Sequence, residues 1–336
     1  MGVCRECKKI TGYKWCNKCN AKHFQENFKK WRSEWIPYDR FYDINYIAKG
    51  ALKSLYNSKN ITSDFINEIT SHHKIIEDYT DTTIIRLYGI TQDPETKNYM
   101  MVLHYAENGS LRNYLDKNYQ QSNWKTKFGD LWDIAFGLEE IHKKELIHRD
   151  LHIGNILYSS FACITDMGLC KPADYNTIEN TTKRVYGVLP YIAPEVLGGQ
   201  IYTKASDIYS FGLRPRFNIK VPQLIVHLIK RCLDANPLNR PAANEISDII
   251  ELWYFKFNGQ IELQRQIEEA DEINNNNLQT SSAPSTSLAT SSYKTHSEAI
   301  YTSRSLNFNN LPEPKNSDDY YKQHDNIISM EYSGIN

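Results

Sequence analysis

LIHRDLHIGNILYSSFACITDMGLC, residues 146 to 170, is the stretch on which the reading of this chain turns. His148-Arg149-Asp150 is followed by Asn155 and then by Asp166-Met167-Gly168. That order sets two carboxylates and one amide on a pair of short turns separated by apolar runs. Phosphoryl transfer needs such a set, because the protein supplies little covalent chemistry. It orients a hydroxyl, holds Mg²⁺ with hard oxygen ligands and neutralises phosphate charge. In that chemistry Asp150 would orient the attacking hydroxyl and accept its proton, while Asn155 and Asp166 would hold the metal. An HRD tripeptide alone is common; HRD with an Asn five positions beyond the Asp and then D-x-G is specific.

Working outward, the chain has 336 residues with a formal net charge of −1, enough for one large or two modest domains. A near-neutral balance gives no general field to attract nucleic acid or an acidic membrane. No apolar run approaches the roughly 18 to 20 residues of a membrane span, and no signal sequence opens the chain, so a cytoplasmic location is expected. Met1-Gly2 lacks the Ser or Thr at position six that myristoylation wants, since Glu6 stands there.

Four of the seven cysteines form two C-x-x-C pairs, Cys4/Cys7 and Cys16/Cys19, with His23 as a substitute ligand. Two such pairs can close a tetrahedral thiolate shell around a structural Zn²⁺. Two disulfides or four free thiols are the alternatives. Lys8, Lys9, Lys14, Lys18 and Lys22 surround the cysteines with Tyr13 and Trp15. They read as charge compensation for a thiolate site in preference to a nucleic-acid surface. Cys163, Cys170 and Cys232 sit among apolar neighbours and read as core fillers.

After a charged connector, Phe41 to Ile47 alternates as a half-buried strand does, and Ala51-Leu52-Lys53 opens another. Ser63 and Asp64 can cap a helix through Phe65, Ile69 and His72 that places Glu68 at one flank of the buried face. Ile84 to Tyr88 and Tyr99 to Leu103 are strand-like, separated by the turn-rich TQDPETKN. Helices follow from Leu111, through Phe128 to Ile141, from Val221 to Leu233 and from Ala243 to Trp253. Strands first and helices after predict an α+β architecture in two lobes. From about Gln260 a charged run predicts an exposed helix, and the Asn- and Ser/Thr-rich tail beyond it reads as disordered. The expected organisation is a zinc-ribbon-like module over 1–25, a linker over 26–37, the main domain over 38–256, and a charged helix with its tail over 257–336.

From about Tyr38 to Lys256 the chain resembles a eukaryotic protein kinase. The matching pieces are Ala51-Leu52-Lys53, Glu68, His148 to Asn155, Asp166 to Gly168, Ala193-Pro194-Glu195, Asp207 within SDIYSFG, and Arg240 before Pro241. The resemblance implies a bilobal fold with ATP and Mg²⁺ between the lobes. Lys53, paired with Glu68, would hold the α and β phosphates; Ala51, Leu103, Tyr105, Ala106 and Leu157 would line the nucleotide site. It also implies that Glu195 pairs with Arg240 and that Asp207 is structural. The activation segment would run from Lys171 to Leu189, with Thr181, Thr182 and Tyr186 as candidate phosphosites that could pair with Arg149. Pro190-Tyr191-Ile192-Ala193-Pro194-Glu195, Gly187 and Asn108-Gly109-Ser110-Leu111 resemble the tyrosine-kinase-like branch. That branch favours Ser/Thr specificity, although His152 stands where Ser/Thr enzymes usually carry a Lys and would contact the transferring phosphate weakly. The CxxC pairs beside such a domain resemble kinase-like proteins of expanded fungal families.

Two departures stand against the family pattern. The glycine-rich loop and second strand, roughly 15 to 20 residues, are absent, since Gly50 runs straight into Ala51. A second gap follows Gly212, where Leu213-Arg214-Pro215 comes at once and the lobe's central helix is cut, which should strip cover from the helix at 128–142. Met167 also replaces the usual Phe, filling the same apolar slot. The expected function is therefore protein phosphorylation by ATP. The alternative is a catalytically impaired pseudokinase or scaffold that holds partners through its cysteine module and tail.

Overall fold

The computed structural model describes residues 2–3, 10–11, 34–35, 52–54, 63–76, 83–118, 122–173, 185–212, 220–280, 303–306, 308 and 311–316. Strands β1 (Gly2–Val3) and β2 (Ile10–Thr11) pair antiparallel. Cys4, Cys7, Cys16 and Cys19, the expected strand at 41–47 and the 50/51 junction lie outside the described residues.

The smaller part is a four-stranded sheet of β3 (Glu34–Trp35), β4 (Leu52–Ser54), β5 (Leu87–Gln92) and β6 (Tyr99–Leu103), in the order β3-β5-β6-β4. All pairs are antiparallel except β3 with β5. Helix α1 (Ser63–Ile76) contributes Ile69 to a core with Ile85, Leu87, Ile90, Tyr99, Met101 and Leu103, and Leu157 packs against that core from the other part. Every residue of β6 is buried, which explains its unbroken apolar reading.

The β5 strand begins and ends later than the alternation suggests. Ile84 bridges Ile164 instead, and pairing slips between Leu87 and Gly89, a bulge that leaves Tyr88 exposed. At the far end the turn is narrower than the polar run TQDPETKN. Asp93 accepts from the Glu95 amide (2.8 Å) and the Thr96 hydroxyl (2.5 Å), which closes the reversal and leaves Gln92 free to pair with Tyr99.

The larger part is helical: α2 (Leu111–Asn118), α3 (Trp124–Lys143), then after short strands α4 (Pro194–Leu197), α5 (Lys204–Gly212), α6 (Gln223–Cys232), α7 (Ala243–Phe255) and α8 (Ile261–Thr280). Asn123 caps α3 by accepting from the Thr126 amide at 2.9 Å. Phe128, Ala135, Leu138 and Ile141 face inward along α3 at helical spacing. Phe128 is wholly buried against Trp253 and Phe257, a burial that stabilises by roughly 1.5–3 kcal/mol. The expected loss of cover over 128–142 is not found: α7 packs along α3, and α8 completes the same core.

Helix α8 also corrects the expectation of an exposed charged helix. Leu263, Ile267 and Ala270 recur at helical spacing and are buried in the main core, a stripe too narrow to stand out among so many charges. Polar side chains on the helix serve its neighbours. Gln266 accepts from the Leu224 amide at the start of α6 (3.0 Å), and Asn274 both accepts from the Lys220 amide (2.7 Å) and donates to its carbonyl (3.0 Å). The first of these satisfies an amide that a helix start leaves without a partner, and the other two hold the chain just before it. The asparagines assigned to the tail thus continue the helix.

The described residues stop at Gly212, so the 212/213 junction and Pro215 lie outside them. Gly212 itself marks a close approach of α5 to α6: a Cβ there would lie 2.4 Å from the Cys232 Cβ. Cys163, Cys170 and Cys232 are free thiols in the core, and burial pushes the last two up to about 12. No described helix is long and apolar enough to cross a membrane.

The tail is not uniformly without structure. Arg304–Leu306 forms strand β12, and Asn316 accepts from the Ala235 amide at 2.7 Å. One buried leucine, Leu306, and a run of backbone hydrogen bonds stabilise the segment, which composition cannot register.

Candidate active site

Short strands assemble the motif region. β7 (Leu146–Ile147) pairs with β10 (Lys171–Pro172), and between them β8 (Ile156–Tyr158) and β9 (Ala162–Ile164) form a hairpin. The Thr165 amide donates to the Asn155 carbonyl at 2.9 Å, which brings the Asp166 turn beside the Asp150 loop. His148 is fully buried and ties the two turns together. Its Nε2 donates to the Thr165 carbonyl (3.0 Å), and its Nδ1 accepts from the Asp150 amide (3.3 Å), so the ring is the neutral Nε2–H tautomer.

The loop is strained and held from below. Arg149 has φ 71° and Asp166 φ 62°, left-handed conformations that cost roughly 1–2 kcal/mol each for residues with a Cβ. Asp207, buried on α5, accepts from the His148 amide (2.7 Å), the Arg149 amide (2.9 Å) and His142 Nε2 (3.0 Å). Three donors converging on one carboxylate over-determine the loop and keep Arg149 in its strained state.

On this platform Asn155 donates to the Asp150 carbonyl (2.9 Å) and to Asp150 Oδ2 (3.2 Å). With the amide nitrogen committed, Asn155 Oδ1 is the atom left for a cation. Asp166 accepts from the Gly168 amide at 3.3 Å, and Met167 beneath it is fully buried. These oxygen donors fit Mg²⁺, which takes few protein ligands and leaves the rest of its shell to phosphate and water. Among the described residues no group of three or more His, Cys, Asp or Glu gathers to hold a metal. Glu68 is buried on α1, with its carboxylate beside Gly168: a Cβ at that glycine would lie 3.5 Å from Glu68 Oε2. Lys53 lies in β4, paired with Met101, and its side chain is outside what is described, as is Ala51.

Leu103, Tyr105 and Ala106, expected to line a nucleotide site, form the segment leaving β6, with Leu103 and Ala106 buried and Tyr105 exposed. Leu157, from β8, packs against the cluster that holds Leu103. The segment is anchored to the hairpin by the Asn108 amide on the Tyr158 carbonyl (3.1 Å) and the Tyr158 amide on the Gly109 carbonyl (2.8 Å).

Farther out, Arg240 donates to both oxygens of Glu195 at 2.7 Å, and also to the Asp234 and Ala205 carbonyls at 2.9 Å. Strand β11 (Val185–Gly187) lies near the end of the stretch Lys171 to Leu189 expected to be the activation segment. Thr181 and Thr182 lie outside the described residues; Tyr186 is in β11 with 44% of its surface exposed. The Arg149 guanidinium stacks 4.4 Å from the Tyr202 ring, and the Tyr202 hydroxyl donates to the Tyr186 carbonyl (2.8 Å). Gly187 has φ 148°, a conformation that disfavours any side chain, and a Cβ there would press on Ile192 at 3.2 Å.

Two further side chains face the site, and the sequence reading named only the first. His152 is buried, and its Nδ1 accepts from the Gly154 amide (3.0 Å), which leaves Nε2–H facing the site. Burial holds its protonation below the usual histidine range, against the attraction of Asp150. The residue is therefore neutral at pH 7, a hydrogen-bond donor without Lys charge. The second is Ser303, whose hydroxyl donates to Asp150 Oδ2 at 2.5 Å. Nothing in the low-complexity tail distinguishes this serine from its neighbours.

The constellation has counterparts among known proteins. Residues 45–215 match the family described as Protein tyrosine and serine/threonine kinase. A Dictyostelium discoideum protein named "Probable serine/threonine-protein kinase" is 24% identical over 268 residues, covering 63% of this chain and 15% of that protein. The L-type lectin-domain containing receptor kinase V.5 of Arabidopsis thaliana is 31% identical over 168 residues, covering 48% and 24%. The receptor-like serine/threonine-protein kinase SD1-7 of the same plant is 31% identical over 181 residues, covering 52% and 20%. The chain thus spans about a quarter or less of the length of these relatives. The family match takes in just over half of the 336 residues and both turns of the site, so this chain belongs to the protein tyrosine and serine/threonine kinase family.

Proposed function

We propose that this chain transfers the γ-phosphoryl group of ATP to serine or threonine hydroxyls of proteins. The observation that carries the reading is the Asp150–Asn155 hydrogen-bonded pair with Asp166 drawn alongside by the Thr165–Asn155 contact. Asp150 would accept the proton of the attacking hydroxyl, and Asn155 and Asp166 would hold Mg²⁺. When bound, the ion neutralises charge on the phosphates. Lys53 would meet the α and β phosphates with Glu68 as its partner, over a nucleotide floor made by Leu157 and the segment Leu103 to Ala106. The Glu195–Arg240 pair would brace the substrate side. The names of the relatives and the motif at Pro190 to Glu195 support Ser/Thr specificity within a tyrosine-kinase-like branch. In the same reading Cys4, Cys7, Cys16 and Cys19 hold a structural Zn²⁺, and the protein acts in the cytoplasm.

The test is incorporation of labelled phosphate from Mg·ATP into dephosphorylated casein by the full chain beside Asp150→Asn. Loss of a positioned base lowers such rates by about 10²–10⁴. Equal incorporation by both proteins would sink the proposal. A second reading is favoured by one feature, the run from Gly50 into Ala51 with no glycine-rich loop. On that reading the chain is a scaffold whose nucleotide binding is weak and independent of Mg²⁺, which a nucleotide titration with and without the metal would reveal.

A further inference from the structure

Strand β12 lies antiparallel along β11, with Leu306 opposite Val185, Ser305 opposite Tyr186 and Arg304 opposite Gly187. The next residue out, Ser303, meets the site: its hydroxyl donates to Asp150 Oδ2 at 2.5 Å and lies 3.4 Å from His152 Nε2. Three residues further along, Leu306 is 8% exposed in a pocket of Val185, Ile192, Ala193 and Val196, flanked by Tyr202 and Tyr209. We infer that Ser303 is a phosphoryl acceptor of this chain's own active site, delivered in cis by the Ser303–Leu306 segment. The inference rests on the phosphotransferase reading above and names a substrate for it: an extended segment with serine at the acceptor position and an apolar residue three places on.

Three independent contacts set the register. The ladder fixes the strand direction, the leucine fixes the position along it, and the hydroxyl bond fixes the acceptor. A one-residue slip would turn Leu306 out of its pocket and Ser303 away from Asp150. The backbone distance suits serine: a tyrosine hydroxyl would project a ring's length past Asp150. Asn316, bonded to the Ala235 amide, ties the chain down again beyond β12. The 22 residues between Thr280 and Ser303 can span on the order of 70 Å.

In the step itself, Ser303 Oγ forms a bond to the γ-phosphorus of the nucleoside triphosphate. The bond from that phosphorus to the β–γ bridging oxygen breaks, and the diphosphate leaves with the electron pair. The Ser303 proton passes to Asp150 Oδ2 and then to solvent, while neutral His152 donates from Nε2 toward Ser303 Oγ and so leaves the hydroxyl proton aimed at Asp150. The product phosphoserine faces the Asp150 and Asp166 carboxylates. Like-charge repulsion then ejects a strand of only three residues and uncovers the Leu306 pocket for other substrates.

The full chain is incubated with Mg·ATP over a range of protein concentrations, with phosphopeptide mapping and dephosphorylated casein as a separate acceptor. Ser303 incorporation is expected to be first order and independent of concentration. Leu306→Ala should slow it at least about tenfold, the loss expected for one buried leucine, while casein phosphorylation persists. Casein labelling without Ser303 labelling overturns this inference and leaves the proposed function standing; labelling of neither overturns both. A rate that rises with protein concentration overturns the cis delivery. Hydrogen exchange without nucleotide gives a readout separate from activity. The β11 amides that face β12, which alternate along the strand, should be protected in the parent chain and exposed in Leu306→Asp, and equal exchange in the two would refute the docking.

Discussion

Asp207→Asn tests how the loop carrying Asp150 is held. The parent carboxylate is 1% exposed and accepts three hydrogen bonds, from the His148 and Arg149 amides and from His142 Nε2. An Asn of the same shape has one accepting oxygen. Turned so that it keeps His148 and His142, its NH₂ group faces the Arg149 amide, donor against donor. Turned the other way, it loses two bonds. The first arrangement forfeits one charge-assisted bond, about 1.5–3 kcal/mol, and weakens the other two from charged to neutral. Burying an amide in place of a carboxylate offsets part of this. The net expectation is about 2–4 kcal/mol of lost stability, a large share of the roughly 5–15 kcal/mol a domain possesses. Urea unfolding followed by the fluorescence of the six tryptophans measures it. With its tether gone, Arg149 should relax from φ 71°, and phosphotransfer should fall together with stability. A loss under about 1 kcal/mol, with the loop unchanged in a crystal structure of the variant, would refute the claim that Asp207 supports the strain.

Arg240→Ala would leave Glu195 buried and unpaired, and should destabilise by about 3–5 kcal/mol in the same unfolding assay. Replacing both partners with apolar residues of similar volume should cost less than the single change, and a larger loss in the double variant would contradict the argument. Asp130 is pushed up from 3.8 to about 6 by burial, opposed by the Tyr158 hydroxyl that donates to it. The fold therefore favours its protonated form, so this group's contribution is full below pH 3.8 and is lost as pH rises through about 6. Asp130→Asn, which keeps an acceptor for Tyr158, should leave stability unchanged near pH 3.5 and raise it by about 1–2 kcal/mol at pH 7 after allowance for solvent screening. A variant less stable than the parent at pH 7 would show that the charged form is favoured instead.

Much of this molecule is legible residue by residue. The helices at 111–118, 124–143 and 243–255 follow from apolar spacing, because a face that must be buried repeats every three to four positions whatever it packs against. His148, Asp150, Asn155 and Asp166 stand close in the chain, and the hairpin between them is short, so their convergence needs little tertiary information. Other contacts join distant positions and leave no local mark. Leu263, Ile267 and Ala270 are a sparse stripe in a charged run, and only the groove they fill shows that they belong to the core. His152 reads as a missing lysine until the Gly154 amide fixes its tautomer.

By itself the sequence singled out the residues proposed for phosphotransfer, where the helices run and the α+β order of the chain, since these depend on side-chain type and spacing over a few turns. Tertiary structure alone decided that Asp207 restrains Arg149, that α8 belongs to the main core, and that Ser303 rests on Asp150. The last pair is separated by 153 positions. The ladder between β11 and β12 and the burial of Leu306 bring them together, and both are contacts between segments far apart in the chain.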